Sequence, residues 1–157
     1  MALMMQTGNK YYLIVVADES KAVLYKRESR RGPLQELRTF ENEAARLKTD
    51  DLIADRGGRS FDSHGHGRHT MTAEKSSPKQ HIAEGFARGI AEHVGDELHK
   101  DHLWGYALIA APRFLGTLRG MLASRTTTEP FAAVDKNVVG QKADVIGRLL
   151  DGLDTRR

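Results

Sequence analysis

The stretch Tyr11-Tyr12-Leu13-Ile14-Val15-Val16-Ala17 constrains the fold more than any other part of this chain. It is an uncharged run rich in β-branched and aromatic residues, the pattern of a strand buried on both faces. Such a strand lies inside a sheet, with neighbours on either side. Asp18-Glu19-Ser20-Lys21 reads as a turn, and Ala22-Val23-Leu24-Tyr25-Lys26-Arg27 returns as a second strand. Arg31-Gly32-Pro33 turns the chain again into Leu34-Gln35-Glu36-Leu37-Arg38-Thr39-Phe40, a third strand whose polar content implies less burial. Turns this short join antiparallel strands.

The pattern then changes from strands to helices. Ser77-Pro78-Lys79-Gln80 combines an N-cap serine, a proline at the first helical position and a glutamine three residues after the serine, which together form a capping-box signature. Ile82, Phe86, Ile90, Val94 and Leu98 recur every four residues, with Ala83, Ala87 and Ala91 beside them, which predicts a helix over 78–100. Tyr106-Ala107-Leu108-Ile109-Ala110-Ala111 reads as another buried strand. Pro112 opens a helix carrying Phe114, Leu115, Leu118, Met121 and Leu122. Phe131-Ala132-Ala133-Val134 is a last strand, and Val139, Ala143, Ile146, Leu149, Leu150 and Leu153 give a last helix. The expectation is one α/β domain over 1–157. Its mixed five-stranded sheet takes the order 3-2-1-4-5, with right-handed crossovers and flanking helices, as in ribonuclease-H-like folds.

Between the third strand and the first helix lies a segment, 42–77, too long for an ordinary connection. Glu43-Ala44-Ala45-Arg46-Leu47 and Asp50-Asp51-Leu52-Ile53 suit short helical turns, while 56–70 is polar and punctuated by glycine. The formal net charge of +3 is mild, so its distribution matters more than its total. From Asp55 to His81 there are five Arg and Lys against three acids, and four of the seven histidines. The absence of cysteine excludes disulfides, thiolate metal sites and cysteine nucleophiles. The first residues lack the basic start and apolar run of a signal peptide, and no apolar run reaches the ~20 residues that span a bilayer. A soluble, cytoplasmic protein without a membrane partner is expected.

Several strings taken together resemble the bacterial host-attachment protein family: Asp55-Arg56-Gly57-Gly58-Arg59-Ser60-Phe61-Asp62-Ser63, Gly67-Arg68-His69, Ala111-Pro112-Arg113-Phe114-Leu115-Gly116, Leu118-Arg119 and Asp135-Lys136. The resemblance covers nearly the whole chain and implies no known reaction. The family is in turn similar to the middle domain of archaeal and eukaryotic peptide-release factors, whose Gly-Gly-Gln loop leaves the strand meander before a long helix. Arg56-Gly57-Gly58-Arg59-Ser60 occupies the comparable place, with Arg59 where the release factor has glutamine. That departure withholds peptidyl-tRNA hydrolysis from what the resemblance implies.

Glycines allow close backbone approach to an anion, and Arg56, Arg59 and Arg68 have the geometry to pair with phosphate oxygens. Gly57, Gly58, Ser60 and His69 complete this anion- or RNA-binding candidate, weighed against a merely solvated loop of the same composition. His64, His66 and His69 have a spacing that converges on zinc in other proteins. Arg68 stands where a metallo-hydrolase carries aspartate, however, and a cation beside a metal opposes binding. No metal or other cofactor is expected. A two-metal nuclease needs clustered carboxylates, and Ala110-Ala111-Pro112 offers none beside Asp18 and Asp135. Arg113, at the opening of a helix after a buried strand, is a further anion-site candidate. Trp104 and Tyr106 read as packing residues, and ten aromatics in all are too few to argue a base-stacking platform from composition. The sequence reading is thus a binding module rather than an enzyme, with RNA or a ribosomal surface as partner and homo-oligomerisation left open. The alternatives are a hydrolase, ester- or metal-dependent, and an interaction or regulatory factor that affects attachment indirectly.

Overall fold

The structure, a computed structural model, describes residues 10–45, 47 and 77–155. Strands β1 (Tyr11–Ala17), β2 (Lys21–Arg27) and β3 (Gln35–Glu41) form an antiparallel meander. Helix α1 (Pro78–His99) leads to β4 (Leu103–Ala110), α2 (Pro112–Ala123) to β5 (Ala132–Val134), and α3 (Ala143–Thr155) follows. The sheet order is β3-β2-β1-β4-β5, with β4 parallel to β1 and β5 parallel to β4. The central place of β1 follows from its sequence: Leu13, Ile14, Val15, Val16 and Ala17 are all buried, so both faces need cover and both edges need a neighbour.

The cover comes from two apolar layers. Leu13, Val15 and Ala17 face α1 and α2 together with Leu24, Tyr106 and Leu108. Ile14 and Val16 face α3 with Val23, Ala107 and Ile109, closed by Ile146 and Leu150. Alternation along one strand therefore feeds two cores. Full burial of each Leu or Ile is worth roughly 1.5–3 kcal/mol. β3 stays largely exposed, as its composition implied.

Four local expectations change. The buried stripe of α1 is Ala83, Ala87, Ile90, Ala91 and Val94, whereas Ile82, Phe86 and Leu98 are only partly buried. The alanines are buried in the core cluster shared with the sheet, and Phe86 and Leu98 pack against it from partly buried positions. The capping box is one-sided: Ser77 Oγ accepts from the Gln80 amide at 3.1 Å, but the Gln80 side chain donates onward to Glu84 at 3.0 Å. β4 begins three residues earlier than the sequence suggested, at Leu103. Val139 belongs to the loop before α3, packed against the second core layer.

Candidate functional site

The topology gathers the chain connections at one end of the sheet. β1, β4 and β5 point the same way, and β3, antiparallel to β2, points with them. Glu41 at the end of β3 pairs with Lys21, beside the turn that follows β1. α1 runs back towards the start of β4, so its N-terminus also lies at the carboxyl end of the strands. The Phe86 and Phe114 rings, 6.0 Å apart, set the early turns of α1 beside the first turn of α2. Segment 42–77 therefore leaves and returns at the carboxyl end of the parallel strands, the usual ligand-binding side of an open α/β sheet.

Asn42 fixes the departure point. It is buried, its side-chain amide donates to the Glu19 carbonyl at 3.0 Å and its backbone N–H donates to the Ser20 carbonyl at 2.9 Å. A helical turn begins at once, over residues 43–45. Asp18 organises the turn that holds Asn42: one carboxylate oxygen accepts from the Ser20 amide, the Ser20 hydroxyl and the Lys21 amide, at 2.9–3.0 Å. Its other oxygen accepts from Asn137 Nδ2 at 3.3 Å, which ties in the segment after β5. Asp18 is a turn residue with both oxygens engaged. Sequence reasoning missed Asn42 and Asn137, since isolated asparagines beside strand ends look like any loop residue.

Arg113 is exposed in the first turn of α2, whose N-cap, Ala111, makes no side-chain capping bond. The guanidinium thus stands at the same sheet end as Asn42 and the start of α1. Lys136, also exposed, follows β5 at that end. The other sequence candidates, Arg56, Gly57, Gly58, Arg59, Ser60, Arg68 and His69, lie outside the described residues, as do the histidines His64 and His66. Among the described residues no three His, Asp or Glu side chains converge on a metal-binding geometry.

Residues 13–150 match the family described as “protein required for attachment to host cells”. The chain belongs to that family. No curated protein matches it as a relative. This host-attachment-family chain has, among its described residues, no helix long and apolar enough to cross a membrane.

Two residues expected to pack divide in the structure. Tyr106 is buried, and its hydroxyl donates to the Thr128 carbonyl at 2.7 Å; burial foremost, with the nearby Glu129 charge, raises its pKa above the usual tyrosine value. Trp104 is not packed: it is 56 % exposed. The 260 Å³ cleft beside Tyr106, between α2 and the approach to β5, lies away from the carboxyl end of the sheet.

Proposed function

We propose that this host-attachment-family protein is a non-catalytic RNA- or ribosome-binding module that offers segment 42–77 to its partner from the carboxyl end of the sheet. The observation that supports it most is that the segment's two anchors, Asn42 and Ser77, lie at the same end of the sheet as the exposed Arg113. Arg56, Arg59 and Arg68 on a glycine-punctuated chain supply bidentate phosphate donors, and glycine lets the backbone approach an anion closely. The resemblance of the sequence to release-factor middle domains supports such a segment at an RNA surface. Arg59 in the place of the glutamine favours binding over ester hydrolysis.

Salt dependence tests the reading. Each phosphate contact contributes about 0.7–0.9 to the slope of log K against log salt. Affinity of the intact protein for ribosomes or RNA should fall steeply between low and moderate salt. Arg59→Ala with Arg68→Ala should flatten that slope by roughly 1.4–1.8 if each arginine contacts one phosphate. Equal, salt-insensitive binding by both proteins would sink the proposal.

A further inference from the structure

At the opposite end of the sheet the β1–β4 ladder contains an irregularity. Tyr11 pairs with Leu103 and Tyr12 with Gly105, so Trp104 is the extra residue of a bulge. A bulge breaks the alternation of a strand and re-aims a side chain. Here it leaves the chain's sole tryptophan more than half exposed on a strand whose next residues enter the core. Lys10 lies over the indole, its Nζ 4.7 Å from the ring centroid. The following residue, Gly105, has no side chain, and Phe131 lies across it: a Cβ there would meet Phe131 Cδ2 at 3.4 Å. Phe131 is itself 41 % exposed, with the Tyr12 ring edge-on at 5.8 Å and the Arg30 guanidinium 5.3 Å from its ring centroid. Two partly exposed aromatic rings, each with a cation against it, thus flank Gly105: Trp104 precedes it on β4, and Phe131, just before β5, lies across it.

We infer that the bulge-displayed Trp104 and the adjoining Phe131 stack unpaired bases of a single-stranded RNA, with Lys10 and Arg30 taking its phosphates. The charge pattern selects this occupant. A nucleotide offers a π-face and an anionic phosphate together, which matches a ring with a cation at its side. Asp101 Oδ1 also lies 3.0 Å from the Lys10 ammonium, an exposed carboxylate whose place a phosphate would take. In a duplex the base faces are covered by their neighbours, so the surface discriminates for unpaired strands. The inference rests on the proposed function in taking RNA as the ligand. It concerns a separate surface, at the opposite end of the sheet from Asn42 and Ser77.

The sole tryptophan makes the test direct. Titration of the intact protein with a single-stranded RNA decamer should quench Trp104 fluorescence saturably, and a duplex of the same length should not. Trp104→Ala and Phe131→Ala should each weaken decamer binding, followed by fluorescence anisotropy of a labelled strand, roughly 5- to 150-fold, the span of base–aromatic stacking. Decamer binding without quenching, or binding unchanged in both variants, overturns the stacking inference and leaves the RNA reading standing. Absence of decamer and ribosome binding by the intact protein overturns both.

Discussion

Arg27 shows how one side chain can join distant parts of this fold. It ends β2 and is only 4 % exposed. Its guanidinium donates to the Gly32 carbonyl at 2.7 Å, to the Arg30 carbonyl at 2.9 Å and to Asp151 on α3 at 2.9 Å. One residue thereby braces the β2–β3 turn and locks α3 to the sheet. Removal of one partner from a buried charged network costs about 3–5 kcal/mol, and the partial exposure of Asp151 places the expected loss at the low end. Arg27→Ala should therefore lower the free energy of urea unfolding by about 3 kcal/mol. Arg27→Lys, which keeps the charge but cannot reach three acceptors with a planar fork, should lose about half as much. Unfolding curves that leave Arg27→Ala within 0.5 kcal/mol of the parent, roughly the scatter of a surface substitution, would refute this role. Nothing in the string Tyr25-Lys26-Arg27 marks the arginine as buried, because its partner Asp151 is 124 positions away.

At the scale of elements, legibility in the sequence follows how local the determining interaction is. β1, α1 and the start of α2 were readable because an apolar run, an N-cap serine and a helix-opening proline act over a few residues. The first residues of β4 were not, since Trp104 is exposed and Gly105 is a poor strand former held by pairing with Tyr12 and by the ring of Phe131. Val139 reads as helical because it is apolar in step with α3, yet it packs from a loop. At the candidate site Arg113 was legible from its place after a buried strand; the anchors Asn42 and Asn137 were not, as each bonds to the distant β1–β2 turn. The helices also carry glycines that the fold does not use. A Cβ at the exposed Gly85 of α1 or Gly120 of α2 would meet nothing within 4 Å. Gly85→Ala and Gly120→Ala should each stabilise by about 0.5–1 kcal/mol, the helix-propensity difference. Gly147→Ala in α3 should gain less or nothing, because its Cβ would lie 3.3 Å from the Arg27 guanidinium. Equal gains at all three sites in thermal melts would show that Arg27 yields freely, contrary to its three hydrogen bonds.

For the molecule as a whole, the contact of α1 with the sheet sets an acid limit to stability. His93 sits half-buried against the Phe40 ring, 5.9 Å between centroids, with Arg38 Nη1 3.4 Å from its Nδ1. Burial pushes its pKa below the usual 6.5; Glu97 and Asp96 pull it up, while Arg38 and Lys100 add to the depression. One turn on, Glu97 Oε1 accepts from the Tyr11 hydroxyl and lies against His102 Nδ1, both at 3.0 Å. Burial raises the Glu97 pKa, but these hydrogen bonds and the neighbouring histidine charges outweigh it and hold the carboxyl below 4.5. Both groups bind a proton less readily in the fold than in the unfolded chain, so stability rises with pH across their range. Acidification from pH 8 should leave the urea midpoint level until about pH 6.5, where unfolded imidazole begins to protonate and folded His93 does not. A second decline should start near the unfolded carboxylate value of about 4.3, where the Glu97 contribution is lost as its carboxyl protonates. His93→Gln should remove part of the first decline, and Glu97→Gln part of the second. A decline between pH 7 and 5 that is no smaller in His93→Gln than in the parent would contradict the sign for His93.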